Sequence, residues 1–121
     1  MKIKRINQID PVKFTGGLSY RAVLASDNMG FAMMKTVIPT GGPHHWQYKH
    51  HLEACYCIRG RGEITDLKTG IKHLITPDVI YVLDSHDDHT FEAFEYTVLI
   101  SIFNPPLNGN ETHDENGNYA G

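Results

Sequence analysis

Short apolar runs rich in β-branched and aromatic residues alternate along this chain with clusters of Gly, Pro, Asn and Asp. This arrangement is typical of β-strands joined by tight turns. We predict strands over residues 21–25, 31–38, 52–58, 63–67, 71–75, 79–83, 90–94 and 96–103. Turns are predicted at residues 27–30, 39–43, 60–62 and 68–70, where glycine or proline interrupts the apolar runs.

No window of the sequence keeps an apolar period of 3.6 residues, so helix should be a minor component. About eight strands without a helical layer bury their apolar faces by packing sheet against sheet. We therefore expect an all-β fold, a barrel or jelly roll, in a single domain over residues 1–121.

The C-terminal segment, residues 104–121, departs from this pattern because it is rich in Asn and Gly. Composition alone favours a frayed polar tail. The spacing of Glu111 and His113 leaves a second possibility, a lid over the mouth of the barrel. In an extended tail laid there, both side chains would point into the mouth. Residues 1–20 form an N-terminal segment before the first predicted strand.

Composition and charge exclude several classes of partner. The hydrophobic share of 40% and the charged share of 21% are ordinary for a globular domain. A net charge of -3 provides no basic surface for nucleic acid. No window approaches the roughly 20 apolar residues that cross a bilayer. No apolar segment follows the basic residues of the N-terminus, so we expect no secretory signal and a cytoplasmic location.

Four of the eight histidines lie within eight residues, directly before the strand predicted over residues 52–58. Glu53 follows them, and the run closes at Gly60-Arg61-Gly62. Imidazoles and a carboxylate at the mouth of a strand pair are typical of a metal site or an acid–base site. This segment is therefore the first candidate for the functional site.

Cys55 and Cys57 lie two residues apart in the same predicted strand, so their side chains point to one face. A disulfide within one extended strand is geometrically poor. We expect two small buried hydrophobic side chains. Thiolate coordination of a metal is the weaker alternative, because the chain has no second pair of cysteines.

Two segments resemble the two characteristic blocks of the cupin superfamily, small double-stranded β-helix barrels that bind a metal. In the first, Glu53 is followed after six residues by Gly60, and in the second the motif DVIYV precedes His89. The longer motifs YKHHLEACYCIRGRGEI, YVLDSHDDH and PLNGNETHDENGNYA are similar to those of the ectoine synthase family within that superfamily. The resemblance runs from about Arg21 to the C-terminus.

The resemblance implies a reaction and a site. The family makes the compatible solute ectoine from N-γ-acetyl-2,4-diaminobutyrate with loss of water, uses a metal taken to be iron(II), and forms homodimers. Carried over position by position, the metal ligands are Glu53, Tyr81 and His89. The positions that match the substrate pocket are Arg21, Thr36, Tyr48, His51, Glu111 and His113.

The implied chemistry suits these residue types. The substrate's free α-amine attacks the carbonyl carbon of its own acetamide, a poor electrophile unless a metal polarises the oxygen. The amine must lose a proton and the departing oxygen must gain one. The candidates for this acid–base work are Tyr48, His51, Glu111 and His113. Arg21 is suited to hold the substrate carboxylate through two parallel hydrogen bonds.

Two positions depart from the family pattern. A tryptophan four residues before the pocket arginine is replaced by Gly17, and a pocket asparagine is replaced by Met34. We expect the pocket to lack an aromatic wall and an amide on one side, and such polar contacts discriminate strongly between substrates. Three hypotheses follow: an ectoine-forming cyclodehydratase, a paralogue that cyclises or hydrolyses a related N-acyl diamino acid, and a non-catalytic cupin that binds a metabolite.

The remaining histidines are not assigned to the site. We expect His44, His45 and His50 to be exposed, with support of the metal ligands from behind as the weaker alternative. We expect His73 to be solvated and His86 to belong to the turn that presents His89. The aspartates of that turn either orient His89 or serve the turn itself.

Overall fold

The computed structural model describes residues 1–114 and 117–119. These residues form ten strands and two single-turn 3-10 helices, so the predicted all-β fold is confirmed. The strands are β1 (Val12–Phe14), β2 (Gly17–Val23), β3 (Ala32–Ile38), β4 (Gly41–Trp46), β5 (Leu52–Arg59), β6 (Gly62–Asp66), β7 (Lys72–Ile75), β8 (Ile80–Leu83), β9 (His89–Ala93) and β10 (Thr97–Asn104). The 3-10 helices span Ile6–Gln8 and Ala25–Asp27.

The strands form two antiparallel sheets that face each other. The six-stranded sheet has the order β1-β2-β3-β10-β5-β8, and the four-stranded sheet has the order β4-β9-β6-β7. Their inward faces share one apolar core that includes the fully buried Ile38, Phe91 and Leu99. No helix among the described residues is long and apolar enough to cross a membrane.

Strand β5 shows how the sequence pattern produces this arrangement. Glu53, Cys55 and Cys57 are buried, while Leu52, Tyr56 and the last two residues of the strand are exposed. Successive side chains of a strand point to opposite faces, so one row of β5 enters the core. Both cysteines are buried and free of disulfides, as predicted.

The structure differs from the sequence prediction at the start of the chain. Strand β2 begins at Gly17 rather than residue 21, and Ala25–Asp27 is a helical turn rather than the end of a strand. Residues 39–43 were expected to be a turn, but β4 already begins at Gly41. Its Gly-Gly-Pro start is typical of a turn, yet it pairs with β9 across a register shift between Gly41 and His44.

The tail returns over the open end of the barrel. Leu107 is buried, and its carbonyl oxygen accepts from Ala25 N at 2.8 Å. Further along, Thr112 Oγ1 donates to Lys13 O at 2.8 Å. Gln47 N donates to Gly117 O at 3.0 Å, which fixes the far end of the tail beside β4. Within the predicted tail of 104–121, residues 115, 116, 120 and 121 lie outside the described part of the chain.

Candidate active site at the mouth of the barrel

The register of the six-stranded sheet places one inward row of side chains just below the mouth. Arg21 pairs with Met34, Met34 with Ser101, Ser101 with Cys55, and Cys55 with Tyr81. This row therefore crosses five strands from β2 to β8. It has a cation at one end and a phenol at the other.

Glu53 lies one inward position nearer the mouth than this row, opposite Phe103 of β10 and Leu83 of β8. Its carboxyl is buried, and the loss of hydration raises its pKa to about 8. Hydrogen bonds from Cys55 and Ser101 act in the opposite direction, because they stabilise the carboxylate. Without a cation beside it, this group carries a proton at neutral pH.

His89 enters the site from the four-stranded sheet, where it pairs with Trp46. Its Nδ1 lies 2.8 Å from the carbonyl oxygen of Asp87. A carbonyl oxygen only accepts, so Nδ1 carries the proton and Nε2 carries the lone pair. That Nε2 is buried without a hydrogen-bond partner in the described structure, and burial lowers the pKa of the ring. A neutral imidazole held in this way is the usual form of a metal-binding histidine.

Two further imidazoles also have a buried ring nitrogen without a hydrogen-bond partner in the described structure. His51 Nδ1 donates to Pro105 O at 2.8 Å and leaves a buried Nε2 without a partner. His113 Nε2 lies 2.9 Å from Tyr48 OH and leaves a buried Nδ1 without one. Buried polar atoms are almost always paired in folded proteins, so these three ring nitrogens are suited to bind a substrate or a metal ion.

The residues present fit a divalent metal. Glu53, Tyr81 and His89 offer a carboxylate, a phenol and an imidazole, which suit a hard or borderline cation. Glu53 and Tyr81 line one cavity, and Tyr81 shares a neighbouring cleft with His89. No cluster of three or more His, Cys, Asp or Glu side chains arranged to hold a metal occurs in the described chain. The trio contains only two residues of those types and is completed by a tyrosine.

Arg21 is engaged on all sides by groups of the tail and of its own strand. Its Nε donates to Ser19 Oγ at 3.2 Å, its Nη1 to Gly109 O at 3.0 Å and its Nη2 to Tyr119 OH at 3.4 Å. Glu111 Oε1 lies 3.6 Å from Nη1. Burial alone would raise the pKa of Glu111, but hydrogen bonds from backbone N–H groups and the charge of Arg21 outweigh it and lower the pKa.

Tyr119, which the sequence analysis did not assign, closes the mouth. Its ring stacks on Tyr48 at a centroid distance of 5.0 Å and lies 4.7 Å from His113. The Arg21 guanidinium lies over the same ring at 5.3 Å. With Tyr119 in place, the cavity between Glu53 and the tail measures only about 10 Å³, room for roughly one water molecule.

The aromatic wall that Gly17 was expected to remove is present in another form. Phe14 of β1 packs against Trp46 at 5.6 Å and against His113 at 5.1 Å, and both Phe14 and Trp46 line the cavity. A Cβ on Gly17 would lie 2.3 Å from Val37 O and 2.8 Å from the Phe14 ring, so no larger side chain fits. The expectation of a missing aromatic wall was therefore wrong. Met34 is buried and lines the cavity, so this part of the wall presents a thioether.

The unassigned histidines mostly lie outside the site, as expected. His45, His50, His73 and His86 are exposed. His44 was expected to be exposed but is half-buried, because its ring stacks on Trp46 at 6.0 Å. In the turn before β9, Asp87 orients His89 through its backbone carbonyl rather than its carboxylate, and Asp88 hydrogen-bonds to His45.

Comparison with known proteins decides the family. The model of the ectoine synthase family matches residues 1–121. The chain belongs to the ectoine synthase family. An L-ectoine synthase of Wolinella succinogenes is 47% identical over 102 residues, covering 84% of this chain and 78% of that protein. One from Halalkalibacterium halodurans is 40% identical over 123 residues, covering 98% and 95%.

Solved structures agree with this assignment. The crystal structure of ectoine synthase from P. lautus is similar with a TM-score of 0.85 and 37% identity, covering 90% of this chain and 81% of that one. An RmlC-like cupin from Shewanella frigidimarina has a TM-score of 0.70 at 17% identity, covering 87% and 91%, and so supports the cupin fold alone. Membership in the ectoine synthase family makes the chain a hydro-lyase, so the hypothesis of a non-catalytic binding protein is not retained.

Proposed function

We propose that this chain performs the ring closure of its family: it converts N-γ-acetyl-2,4-diaminobutyrate to ectoine and water, with iron(II) or another divalent metal as cofactor. The observation that carries the proposal is the buried, unpartnered Nε2 of His89. It belongs to a site that also holds the buried carboxyl group of Glu53 and the half-buried phenol of Tyr81. Such a donor set has no evident structural use without a cation.

Glu53, Tyr81 and His89 hold the metal in this proposal. The metal supplies Lewis acidity towards the acetamide oxygen. The chain's own contribution is orientation, because Asp87 O fixes the His89 ring.

Arg21 receives the substrate carboxylate. Its Nη1 and Nη2 donate to Gly109 O and Tyr119 OH in the closed structure, and a carboxylate can accept two parallel hydrogen bonds in their place. Thr36 lines the cavity under Tyr119 and offers a hydroxyl oxygen to the substrate. Anchoring both ends of the molecule favours the folded conformer in which the amine reaches the acetamide carbon.

The acid–base work follows from the atoms that must move. The amine nitrogen forms a bond to the acetamide carbon, the carbon–oxygen bond breaks, and two protons from the amine leave with that oxygen as water. We assign proton transfer to the hydrogen-bonded Tyr48–His113 pair. Burial, followed by the charge of Arg21, lowers the pKa of His113 to about 3, so the ring is neutral and able to accept. A substrate carboxylate on Arg21 would offset the second cause and make the ring a stronger base.

His51 and Glu111 serve the same chemistry from either side. His51 Nε2 is a buried acceptor fixed by the hydrogen bond from Nδ1 to Pro105 O, so it can take or return a proton at the reacting oxygen. Glu111 is bound by Asn108 N at 2.6 Å and Gly109 N at 2.7 Å, beside Arg21. It therefore stays ionised and is placed to bind the substrate's ammonium group before deprotonation.

We also propose that the tail is a lid. The cavity under Tyr119 has room for about one water molecule, so entry of the substrate beneath Tyr119 requires the tail to open. Closure then excludes water, which favours loss of water from the tetrahedral adduct.

The test is anaerobic incubation of the purified protein with iron(II) and the acetylated substrate, followed by chromatography for ectoine. Glu53→Ala and His89→Ala should abolish product, while Glu95→Ala, at an exposed carboxylate between β9 and β10, should not. Absence of product from the unaltered protein at saturating substrate would overturn the proposal.

Met34 supports a second candidate, ring closure or hydrolysis of a related N-acyl diamino acid. Its thioether lies in the cavity wall and accepts a hydrogen bond from Ser19 Oγ at 3.1 Å. An acyl group larger than acetyl would find a soft apolar neighbour there. Competing the acetylated and propionylated substrates in one reaction decides between the two, because the second candidate requires a higher kcat/KM for the propionyl compound.

We further propose a homodimer in the cytoplasm. The outward faces of β5 and β8 expose Tyr56, Ile58, Ile80 and Val82, of which Tyr56 and Ile80 are cross-strand neighbours. An apolar patch of this kind is typical of a contact surface, and a second copy is the partner that the family implies. The two free thiols suit a reducing compartment. Sedimentation of Val82→Lys against the unaltered protein tests the dimer: a monomer is expected for the variant only.

A further inference from the structure

Ser101 is a buried hydroxyl at the centre of the inward row, and the proposed chemistry gives it no role of its own. Its Oγ lies 2.8 Å from Thr36 Oγ1 and 3.4 Å from Cys55 Sγ. Ser101 lies opposite Cys55 and Glu53 lies opposite Phe103, so Ser101 and Glu53 are diagonal neighbours on the inward face. The Glu53 carboxyl receives hydrogen bonds from the side chains of Ser101 and Cys55. Ser101 thus touches a residue of the substrate cavity on one side and a candidate metal ligand on the other.

The number of protons available in this cluster determines which group donates each hydrogen bond. A serine hydroxyl has one proton to donate and two lone pairs to accept. A carboxylate only accepts, so the Ser101 hydroxyl donates its hydrogen bond to Glu53 when that group is ionised. Thr36 must then donate to Ser101. The result is a chain of hydrogen bonds that runs from Thr36 through Ser101 to Glu53.

The fold makes this chain rigid. Strand β10 is paired along its length with β3 on one side and with β5 on the other, so Ser101 sits on backbone that is hydrogen-bonded on both sides. Thr36 and Glu53 belong to those two flanking strands. No residue of this hydrogen-bond chain therefore lies in a loop or in the tail.

We propose that Ser101 is a positioning residue, which aims the Glu53 carboxylate at the metal and links it to Thr36 in the substrate cavity. The proposal rests on the proposed function, since it assumes that Glu53 binds a metal. Residues that orient metal ligands change metal affinity by roughly 10- to 100-fold when they are removed.

The test measures metal binding by the metal-free protein, without turnover. Iron(II) is titrated anaerobically into the unaltered protein, Ser101→Ala and the control Thr97→Val, and the dissociation constants are compared. Thr97 is a buried hydroxyl on the same strand, but it donates to Glu95 O, away from the site. We expect Ser101→Ala to bind the metal about tenfold more weakly, and Thr97→Val to stay within about twofold of the unaltered protein.

Thr36→Val provides a second, independent arm. If Thr36 served the substrate alone, its removal would leave metal affinity unchanged in the absence of substrate. The hydrogen-bond chain instead requires a loss of roughly threefold, because a donor that polarises Ser101 is gone. This arm remains informative if Ser101→Ala fails to fold, which circular dichroism would reveal.

The outcomes separate the two proposals. Metal affinity within about twofold of the unaltered protein, for folded Ser101→Ala or for Thr36→Val, overturns the role of Ser101. Failure of the unaltered protein itself to bind iron(II) overturns the proposed function instead. Ser101→Thr keeps the hydroxyl and should recover most of the lost affinity, whereas a purely steric role for Ser101 requires the larger side chain to bind worse than alanine.

Discussion

The buried Glu53 carboxyl makes the stability of the metal-free protein depend on pH in an unusual direction. Its pKa is about 8 in the folded chain, against an ordinary value of 4.5 when the chain is unfolded. Between those values the folded state keeps a proton that the unfolded state has lost. The contribution of Glu53 is therefore fully present below pH 4.5 and is lost as the pH rises through 8. A pKa difference of about 3.5 corresponds to about 5 kcal/mol over the whole range.

The measurement compares Glu53→Gln, which cannot ionise, with the unaltered protein in urea unfolding after chelation of metal. From pH 5.5 to 7.5 the unaltered protein should lose about 2.7 kcal/mol of unfolding free energy relative to the variant, about 1.4 kcal/mol for each pH unit. Neutral buried histidines such as His89 push in the opposite direction at low pH, but they do so equally in both proteins. The difference between the two profiles therefore isolates Glu53.

A control and a second condition sharpen this test. Glu95→Gln, at an exposed carboxylate, should leave the profile of the unaltered protein unchanged. Adding a divalent metal at pH 7.5 should restore stability to the unaltered protein but not to Glu53→Gln, because the metal binds the carboxylate. Parallel profiles for the unaltered protein and Glu53→Gln would refute the argument that burial holds a proton on this group.

Three further changes test the mouth of the barrel. Tyr119→Ala removes the ring that fills the cavity. Steady-state kinetics should show a KM lower by roughly threefold, because the open form is more populated, and a lower kcat, because water enters. An unchanged KM would contradict this expectation. Gly117→Ala would place a Cβ 2.0 Å from His45 O at a φ of +71°, so the tail should undock and become sensitive to limited proteolysis at low protease concentration. Gly17→Trp would drive a side chain into Val37 O, and we expect a loss of about 3 kcal/mol, seen as a melting temperature lower by roughly 10 °C, rather than a gain in ectoine formation.

Local pattern was sufficient for the strands that bury one face. The alternation through residues 52–58 predicted β5, and its inward row contains Cys55 and Cys57, which were expected to be buried. The local sequence pattern failed to predict strands that are held by pairing with a neighbouring strand rather than favoured by their own composition. Strand β4 starts with Gly-Gly-Pro and is held by its partner β9, and β1 is only three residues long. No propensity argument finds a strand of that kind, because its stability comes from the neighbouring strand.

The residues of the site also divide into those that the sequence predicted and those that it missed. Glu53, Tyr81 and His89 were predicted through family motifs, since nothing local shows that residues on three strands approach one another. Tyr119 and Phe14 were missed because aromatic residues near chain ends carry no pattern that distinguishes a pocket wall from an ordinary hydrophobic contact. Ser101 did leave a signal: it is the polar residue within the apolar run LISIF of β10. A hydroxyl at a position that the strand buries requires a partner, and that requirement was visible in the sequence.

The contacts between the tail and Arg21 also affect how fast a substrate enters and the product leaves. In the proposed reaction, the contacts of Arg21 with Gly109 O and Tyr119 OH must break to admit a substrate and again to release ectoine. The turnover number then has a ceiling at the opening rate of the tail, whatever the speed of the chemical steps. Because product release passes through this opening, a more viscous solvent should slow the release step while leaving the bond-forming steps themselves unchanged.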